Sequence, residues 1–383
     1  MENLRVAWLV PVAWYYWQPM LSEFSRQIPQ TIIFTALFPG YSQGYEDSLN
    51  LEIVGKFQVL KNQKKIGKSQ YGSGYTVLSP KVILPLLRYQ PDLVVTSSFG
   101  LWTLLALLFK PIGRWRVIIA YEGSAPGVDF LNSPLRLGIR KLMVKIADGC
   151  ISNSQGGKNY LIDSLKANPR RVFAHPYEVP SPKSLIQHQS SVEFRSLEKQ
   201  KPVFLFVGRI IPRKGLQLLL QACVLLRKQG INNYSLWIVG DGEQRSELEA
   251  FCQQNQLQDN IRWQGKVDYR EINSYFQAAD VFILPTLEDT WGVVTLEVML
   301  FGKAVLCSAG AGSSELIVDG KNGYVFEPDR PQELAELMQK FIVEPELAQI
   351  AGKRSRQMIA AYTPKKAAEF LISTIKSTQN INV

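Results

Sequence analysis

The chain alternates short, uniformly apolar runs with longer segments whose apolar positions recur at helical spacing. In the first part the apolar runs are residues 4–12 (LRVAWLVPV), 31–38 (TIIFTALF, stopped by Pro39-Gly40), 92–97 (DLVVTS), 116–120 (RVIIA) and 149–153 (GCISN). Short runs rich in β-formers and lacking polar alternation predict parallel strands buried on both faces. Residues 101–109 and 134–147 read as helices, the second basic and amphipathic. Residues 56–75 are basic and carry Gly67, Gly72 and Gly74, which predicts a surface loop. The alternation restarts at 203, with strands predicted at 203–207, 235–239, 261–264, 281–284 and 304–306. Helices are predicted at 215–229, 243–255, 269–278 and 292–301, and the chain is helical from about 331 to 378.

Strands alternating with helices predict an α/β fold with parallel sheets. The 383 residues suit two domains at roughly 150 residues each. Residues 176–201 divide them: Pro176, Pro180 and Pro182 sit among Ser, Gln and Lys with little hydrophobic period. The predicted architecture is two facing doubly wound, Rossmann-like domains with the ligand site at the strand ends. The expected boundaries are an N-terminal domain at 1–176, a linker at 177–201, a C-terminal domain at 202–360 and a final helix at 361–383 that crosses back to the first domain.

Composition narrows the function classes. An apolar fraction of 46% and a charged fraction of 20% are ordinary for a globular protein. Cys150, Cys223, Cys252 and Cys307 are scattered without a CxxC pair, and His175 and His188 are the only histidines, neither in a motif. Neither a zinc site nor a Ser-His-Asp hydrolase is indicated. The run at 6–17 is broken by Pro11 and followed by no small-residue cleavage site, so it reads as a buried strand, not a signal peptide. No run reaches the ~20 residues a membrane span needs. The expected compartment is the cytoplasm.

The charge is unevenly distributed. Residues 1–200 hold 23 Lys and Arg against 13 Asp and Glu, whereas residues 201–383 hold 20 of each. The whole net charge of +10 therefore belongs to the first half. An anionic membrane surface, an anionic substrate or a basic face of no function would each account for it; no nucleic-acid motif accompanies it. The aromatic stretch 14–17 and the basic helix 134–147 suit the membrane reading, peripheral at the inner face.

Candidate chemistry clusters in the second half, at predicted strand ends. Gly208-Arg209-Ile-Ile-Pro-Arg213-Lys214-Gly215 lies between a strand and a helix. Its glycines permit tight turns, and a forked guanidinium with a lysine point charge suits a diphosphate. The spacing is not that of a Walker loop. Gly240-Asp241-Gly242 and Gly265-Lys266-Val267 end two further strands and are, alone, compatible with plain turns. Pro285–Glu297 is the most informative stretch: Glu288 and Asp289 precede a helix opening at Gly292, and Glu297 lies eight residues beyond Asp289. Amides of Gly292, Val293 and Val294 at a helix N-terminus can hold phosphate oxygens, and a carboxylate can accept both hydroxyl protons of a ribose diol.

On these residues the second half resembles the donor domain of a retaining glycosyltransferase of the GT-B fold, family 4 (group 1). The resemblance covers about 203–330 through VGRIIPRKG, IVGDGE, the acidic-x7-Glu element, GKAVLCSAGAGSSELI and DGKNGYVFEPD. It implies that Gly208, Arg209, Lys214 and Gly240 surround the donor, with Arg209 and Lys214 on its diphosphate. It further implies that Glu297 holds the ribose, Asp289 the transferred sugar, and Lys266 and Val267 the base. This chain has Asp289 where the family has Glu, with Glu288 one position early, so either carboxylate is a candidate. The first domain, expected to bind the acceptor, departs from the family. Ala13-Trp14-Tyr15-Tyr16-Trp17 replaces a glycine-rich loop, and Tyr121-Glu122-Gly123 stands where a histidine is usual.

The implied function is hexosyl transfer from a nucleotide-diphosphate sugar to a hydroxyl acceptor with retention, the acceptor being a sugar, a lipid-linked sugar or a polysaccharide precursor. Arg209, Lys214, Asp289 and Glu122 are the candidate catalytic residues, Glu122 as a base or positioning group. No DxD pair occurs, and no metal and no cofactor beyond the donor substrate are expected. Alternatives are a nucleotide-sugar hydrolase or epimerase of the same fold, or a two-lobed sugar-binding protein.

Overall fold

The computed structural model describes residues 3–61, 74–185 and 201–380. The chain divides into two compact units. The first takes the described residues up to Ser181 and those from Tyr362 on; the second is Pro182–Ala361.

Among the described residues the first unit holds nine strands in chain order: β1 (Val6–Leu9), β2 (Thr31–Thr35), β3 (Leu51–Ile53), β4 (Gln58–Lys61), β5 (Gly74–Val77), β6 (Leu93–Ser97), β7 (Arg116–Tyr121), β8 (Gly149–Ser152) and β9 (Val172–Ala174). Seven form one parallel sheet in the order β3-β2-β1-β6-β7-β8-β9. The central β1 is buried along its whole length, as a strand covered by helices on both faces must be. Ala7, Leu9, Val94, Val117 and Ile119 belong to the core, as do Trp102 and Met143 from the helices Leu101–Leu108 and Pro134–Ile146. The C-terminal helix Pro364–Asn380 packs on the helix Gln18–Gln27, and Arg116 donates to the Thr378 carbonyl at 3.0 Å.

The second unit is a six-stranded parallel sheet: β10 (Val203–Val207), β11 (Ser235–Val239), β12 (Ile261–Gly265), β13 (Val281–Leu284), β14 (Ala304–Ser308) and β15 (Gly323–Phe326). The order is β12-β11-β10-β13-β14-β15. β10 lies between β11 and β13, with Phe204 opposite Leu236 on one side and Val281 on the other. The helix Leu216–Lys228 buries Leu219, Leu220 and Cys223 against the sheet, and Pro331–Val343 adds Leu334, Met338 and Phe341.

Three expectations need correction. The segment 56–75 is not loop throughout: β4 and β5 pair antiparallel, Gln58 opposite Val77, with residues 62–73 outside the described residues. Two short β-prone runs flank its glycines, and pairing satisfies their backbone groups. Residues 177–181, expected to begin the linker, are largely buried in the first unit. The Asn153 Oδ1 accepts from the backbone N–H of Tyr177 (2.8 Å) and Glu178 (2.9 Å), and Tyr177 packs against Trp17 at 5.5 Å between ring centroids. A side-chain amide thus satisfies backbone groups that a proline-rich segment cannot pair in a strand. The aromatic stretch 14–17 also divides: Trp14 and Tyr15 are exposed, but Trp17 is buried against Trp8.

Candidate functional site

In an open parallel sheet, neighbouring crossovers diverge where the strand order reverses, leaving a crevice at the carboxyl ends of the strands. In the second unit this point falls between β10 and β13. The segments leaving these strands are 208–215 and 285–292, so the topology places the Arg209–Lys214 loop beside the Glu288–Asp289 loop.

Backbone bonds stitch the two loops together. The Leu287 N–H donates to the Arg213 carbonyl at 2.8 Å, and the Thr286 hydroxyl donates to the same oxygen at 3.0 Å. In return the Arg213 guanidinium donates to the Glu288 carbonyl at 2.8 Å. Gly215 adopts φ +66°, and a Cβ there would collide with the Pro285 carbonyl, so this close approach requires glycine. On its other flank, Asp289 exchanges backbone bonds with 310–312: its N–H donates to Gly310 (2.8 Å) and its carbonyl accepts from Gly312 (3.1 Å).

Asp289 is buried, and its Oδ2 takes an ion pair from Lys214 Nζ, with Arg213 Nη1 at 3.8 Å. Glu288 is also buried, but it is the backbone carbonyl of Glu288 that receives Arg213. After this loop Gly292, at φ +89°, caps the helix Val293–Leu300, and Gly292, Val293 and Val294 are half-buried at its N-terminus.

Glu297 sits one turn further along that helix and is buried, not on a solvent face. Its Oε1 accepts the Tyr269 hydroxyl at 2.7 Å. Burial pushes the carboxyl from its ordinary value of 4.5 up to about 7, the Tyr269 hydrogen bond pulling it down. Tyr269 is a residue that sequence reasoning missed. It follows Gly265 by four positions, and nothing in its neighbours marks it as the partner of a carboxylate on another helix.

The raised value has a stability consequence. Between about 4.5 and about 7 the unfolded chain has released this proton while the folded chain retains it. The stabilising contribution is complete below the lower value and is lost as pH rises through the upper one. Glu297→Gln is therefore expected to melt above wild type near about pH 8, the gap closing toward about pH 5 in thermal melts followed by circular dichroism. A pH-independent difference between the two melting temperatures would refute it.

The remaining candidates are placed as follows. Gly208 and Gly240 are in contact at the ends of β10 and β11; the Gly208 N–H donates to Val239 and that of Gly240 to Gly265, both carbonyls. Lys266 is exposed and Val267 half-buried just past β12, on the segment leading to Tyr269. Arg209 is exposed beside Gly208. Glu122 lies in the first unit at the end of β7, half-buried. Next to it Tyr121 and Ser124 both donate to buried Asp129, and Arg140 donates to the Asp129 carbonyl at 3.2 Å. Among the described residues no three His, Cys, Asp or Glu side chains group as metal ligands, and no helix is long and apolar enough to cross a membrane.

Residues 189–358 match the model of the family described as glycosyl transferases group 1. Sulfoquinovosyl transferase SQD2 of Arabidopsis thaliana is 24% identical over 296 residues, covering 74% of this chain and 56% of the plant protein. The chain spans about half the length of several curated relatives it matches. Among solved structures, sucrose-phosphate synthase from Thermosynechococcus elongatus aligns with a TM-score of 0.73 at 19% identity, covering 98% of this chain and 99% of that one. Anabaena Alr3699/HepE in complex with UDP aligns with a TM-score of 0.71 at 16% identity, covering 98% of this chain and 100% of that one. The fold is GT-B: two Rossmann-like domains, each with a parallel sheet.

Proposed function

We propose that this chain, whose residues 189–358 match the model of group 1 glycosyl transferases, transfers a sugar from a nucleoside-diphosphate sugar to a hydroxyl acceptor with retention at the anomeric carbon. The observation that carries the reading is the pairing of Lys214 and Arg213 with buried Asp289 at the switch point of the second sheet, beside the helix opening at Gly292. A cation pair, a carboxylate and the amides that open a helix are the groups a diphosphate with an attached sugar would use.

As the glycosidic bond stretches, negative charge grows on the β-phosphate. Lys214, Arg209 and the amides of Gly292, Val293 and Val294 stabilise it, a contribution of oriented charge already in place before reaction. Glu297 accepts the ribose hydroxyls in place of the Tyr269 phenol, Lys266 and Val267 flank the base, and Gly208 and Gly240 let the backbone approach the donor. Asp289 accepts from hydroxyls of the transferred sugar while holding Lys214. The acceptor hydroxyl passes its proton to the departing phosphate oxygen, which lies on the face from which the acceptor must attack if configuration is retained. Glu122, in the first unit, is assigned to positioning the acceptor, and would take its proton only if the phosphate oxygen does not.

The cations replace a divalent metal in this scheme. Transfer from a labelled donor, with UDP-sugars tried first because UDP occupies the HepE structure, is expected to persist in excess EDTA. A complete, magnesium-reversible loss would overturn the cation assignment. Release of free labelled sugar in place of a glycosylated product would identify a hydrolase. For the acceptor we favour a lipid-linked sugar or a polysaccharide precursor, at the cytoplasmic face of a membrane, because the whole net positive charge lies in residues 1–200.

A further inference from the structure

The helix Pro134–Ile146 of the first unit presents its apolar residues to solvent. Leu135 is 76% exposed, Ile139 45%, Leu142 58% and Ile146 41%. Their spacing puts all four on one stripe of the helix, while Val144 on the opposite side and Met143 on the flank between are buried in the core. Further exposed aliphatic residues lie on an element tied to the end of the helix. The Lys110 ammonium donates to the Ile146 carbonyl at 2.9 Å and pairs with Asp148 at 2.8 Å. This fastens the turn Lys110–Gly113 to the last turn of the helix, and there Leu108 is 60% and Ile112 68% exposed.

Large aliphatic side chains scattered singly on a surface need no explanation, but four on one stripe with two more on an adjoining element do. The charged residues within the helix all carry one sign. The helix PLRLGIRKLMVKI has four basic residues and no acidic one. Arg136 stacks on the Phe130 ring at 4.0 Å and Arg140 is committed to the Val128 carbonyl at 2.8 Å, which leaves Lys141 and Lys145 exposed alongside the stripe.

We propose that this stripe is the surface by which the protein lies on an anionic lipid bilayer. Leu135, Ile139, Leu142, Ile146 and Ile112 enter the boundary between headgroups and acyl chains, and Lys141 and Lys145 meet the lipid phosphates. An apolar stripe bordered by cations matches an interface with apolar depth and anionic headgroups. At about 1.5 Å per residue the 13-residue helix is about 20 Å long, so it lies in the interface and does not span it. A second copy of this chain is a poorer occupant, because a self-complementary contact over the stripe would bring lysines against lysines. The inference deepens the lipid-linked acceptor of the proposed function. It is nonetheless read without any transfer reaction, so its failure is separable from failure of the enzymatic reading.

The test is sedimentation of the full chain with vesicles of phosphatidylcholine alone or mixed with phosphatidylglycerol. Pelleting is expected with the mixed vesicles, and an at least ~10-fold weaker affinity near 1 M salt, where screening shortens the field to about 3 Å. The double variant Ile139→Glu/Leu142→Glu, at exposed positions, is expected to stay in the supernatant while melting like wild type. Ile112→Glu, on the adjoining turn, is expected to weaken binding in the same direction. Wild-type protein that remains in the supernatant with phosphatidylglycerol vesicles at low salt would overturn the proposal. So would a double variant that pellets like wild type, or sedimentation velocity showing a wild-type dimer that the double variant dissociates.

Discussion

Lys214→Ala is expected to lower turnover by about 10²- to 10³-fold, the ~2.7–4 kcal/mol that one oriented charge contributes at a developing anion. The substitution has two consequences that must be measured apart. It removes a cation from the departing diphosphate, and it also strips Asp289 of its ion-pair partner in a buried position. Leaving one member of a buried pair unmatched is destabilising, so the melting temperature should fall as well. Adding Asp289→Asn removes the stranded charge. The double variant should therefore recover part of the lost melting temperature and none of the lost turnover. Turnover that recovers together with stability would assign Lys214 to holding the fold, and normal turnover of the single variant would sink the site assignment altogether. Arg213, with Nη1 at 3.8 Å from the same carboxylate, is close enough to shield Asp289 partly, so the stability loss should be smaller than for an isolated pair.

The second large effect separates two adjacent carboxylates. Asp289→Asn is expected to abolish measurable transfer, while Glu288→Gln should retain most of it. The reasoning is geometric. Asp289 turns its carboxylate to Lys214 and Arg213, and its backbone is pinned on one side by Gly310 and Gly312. Glu288 contributes its backbone carbonyl to the Arg213 guanidinium, and that contact survives a change of side chain. A side chain that faces two cations where a diphosphate is proposed to bind also faces the sugar carried by that diphosphate. Steady-state rates with a labelled donor, together with the melting temperature of each variant, decide the matter. The reverse order, with Glu288→Gln inactive and Asp289→Asn active, would move the sugar contact to Glu288.

Much of the second unit is legible in the sequence. Its strands at 203–207, 235–239 and 281–284 coincide with the apolar runs, because a strand buried on both faces by helices must be apolar throughout. The strands that were missed are the weakly marked ones at or near the margins of the sheets: β3, β9 and β15. β3 has Glu52 at its centre, β9 has three residues, and β15 begins with a glycine. Edge strands are covered less and need less apolar sequence, so periodicity does not reveal them. The antiparallel pair β4–β5 was hidden for another reason: the glycines and lysines between its strands carry the composition of a loop.

The candidate site divides along the same line. The chain's own order determines that Gly208–Lys214, Gly240, Lys266 and Pro285–Gly292 follow strands. In a parallel sheet all such segments emerge at one edge, so their assembly is a consequence of topology that sequence alone can carry. Which side chains meet across that edge is not. Lys214 and Asp289 are 75 residues apart, and Tyr269 and Glu297 are 28 apart. Their pairing depends on strand order, on a glycine that lets one loop touch another, and on which face of a helix turns inward. Likewise the helix at 134–147 is basic and amphipathic by sequence, but amphipathic periodicity is the same whether the apolar stripe faces the core or the solvent. Only packing decided that Met143 and Val144 go inside and Leu135, Ile139, Leu142 and Ile146 stay out, because the sheet beneath has room for one face of the helix and burial of the other must come from elsewhere.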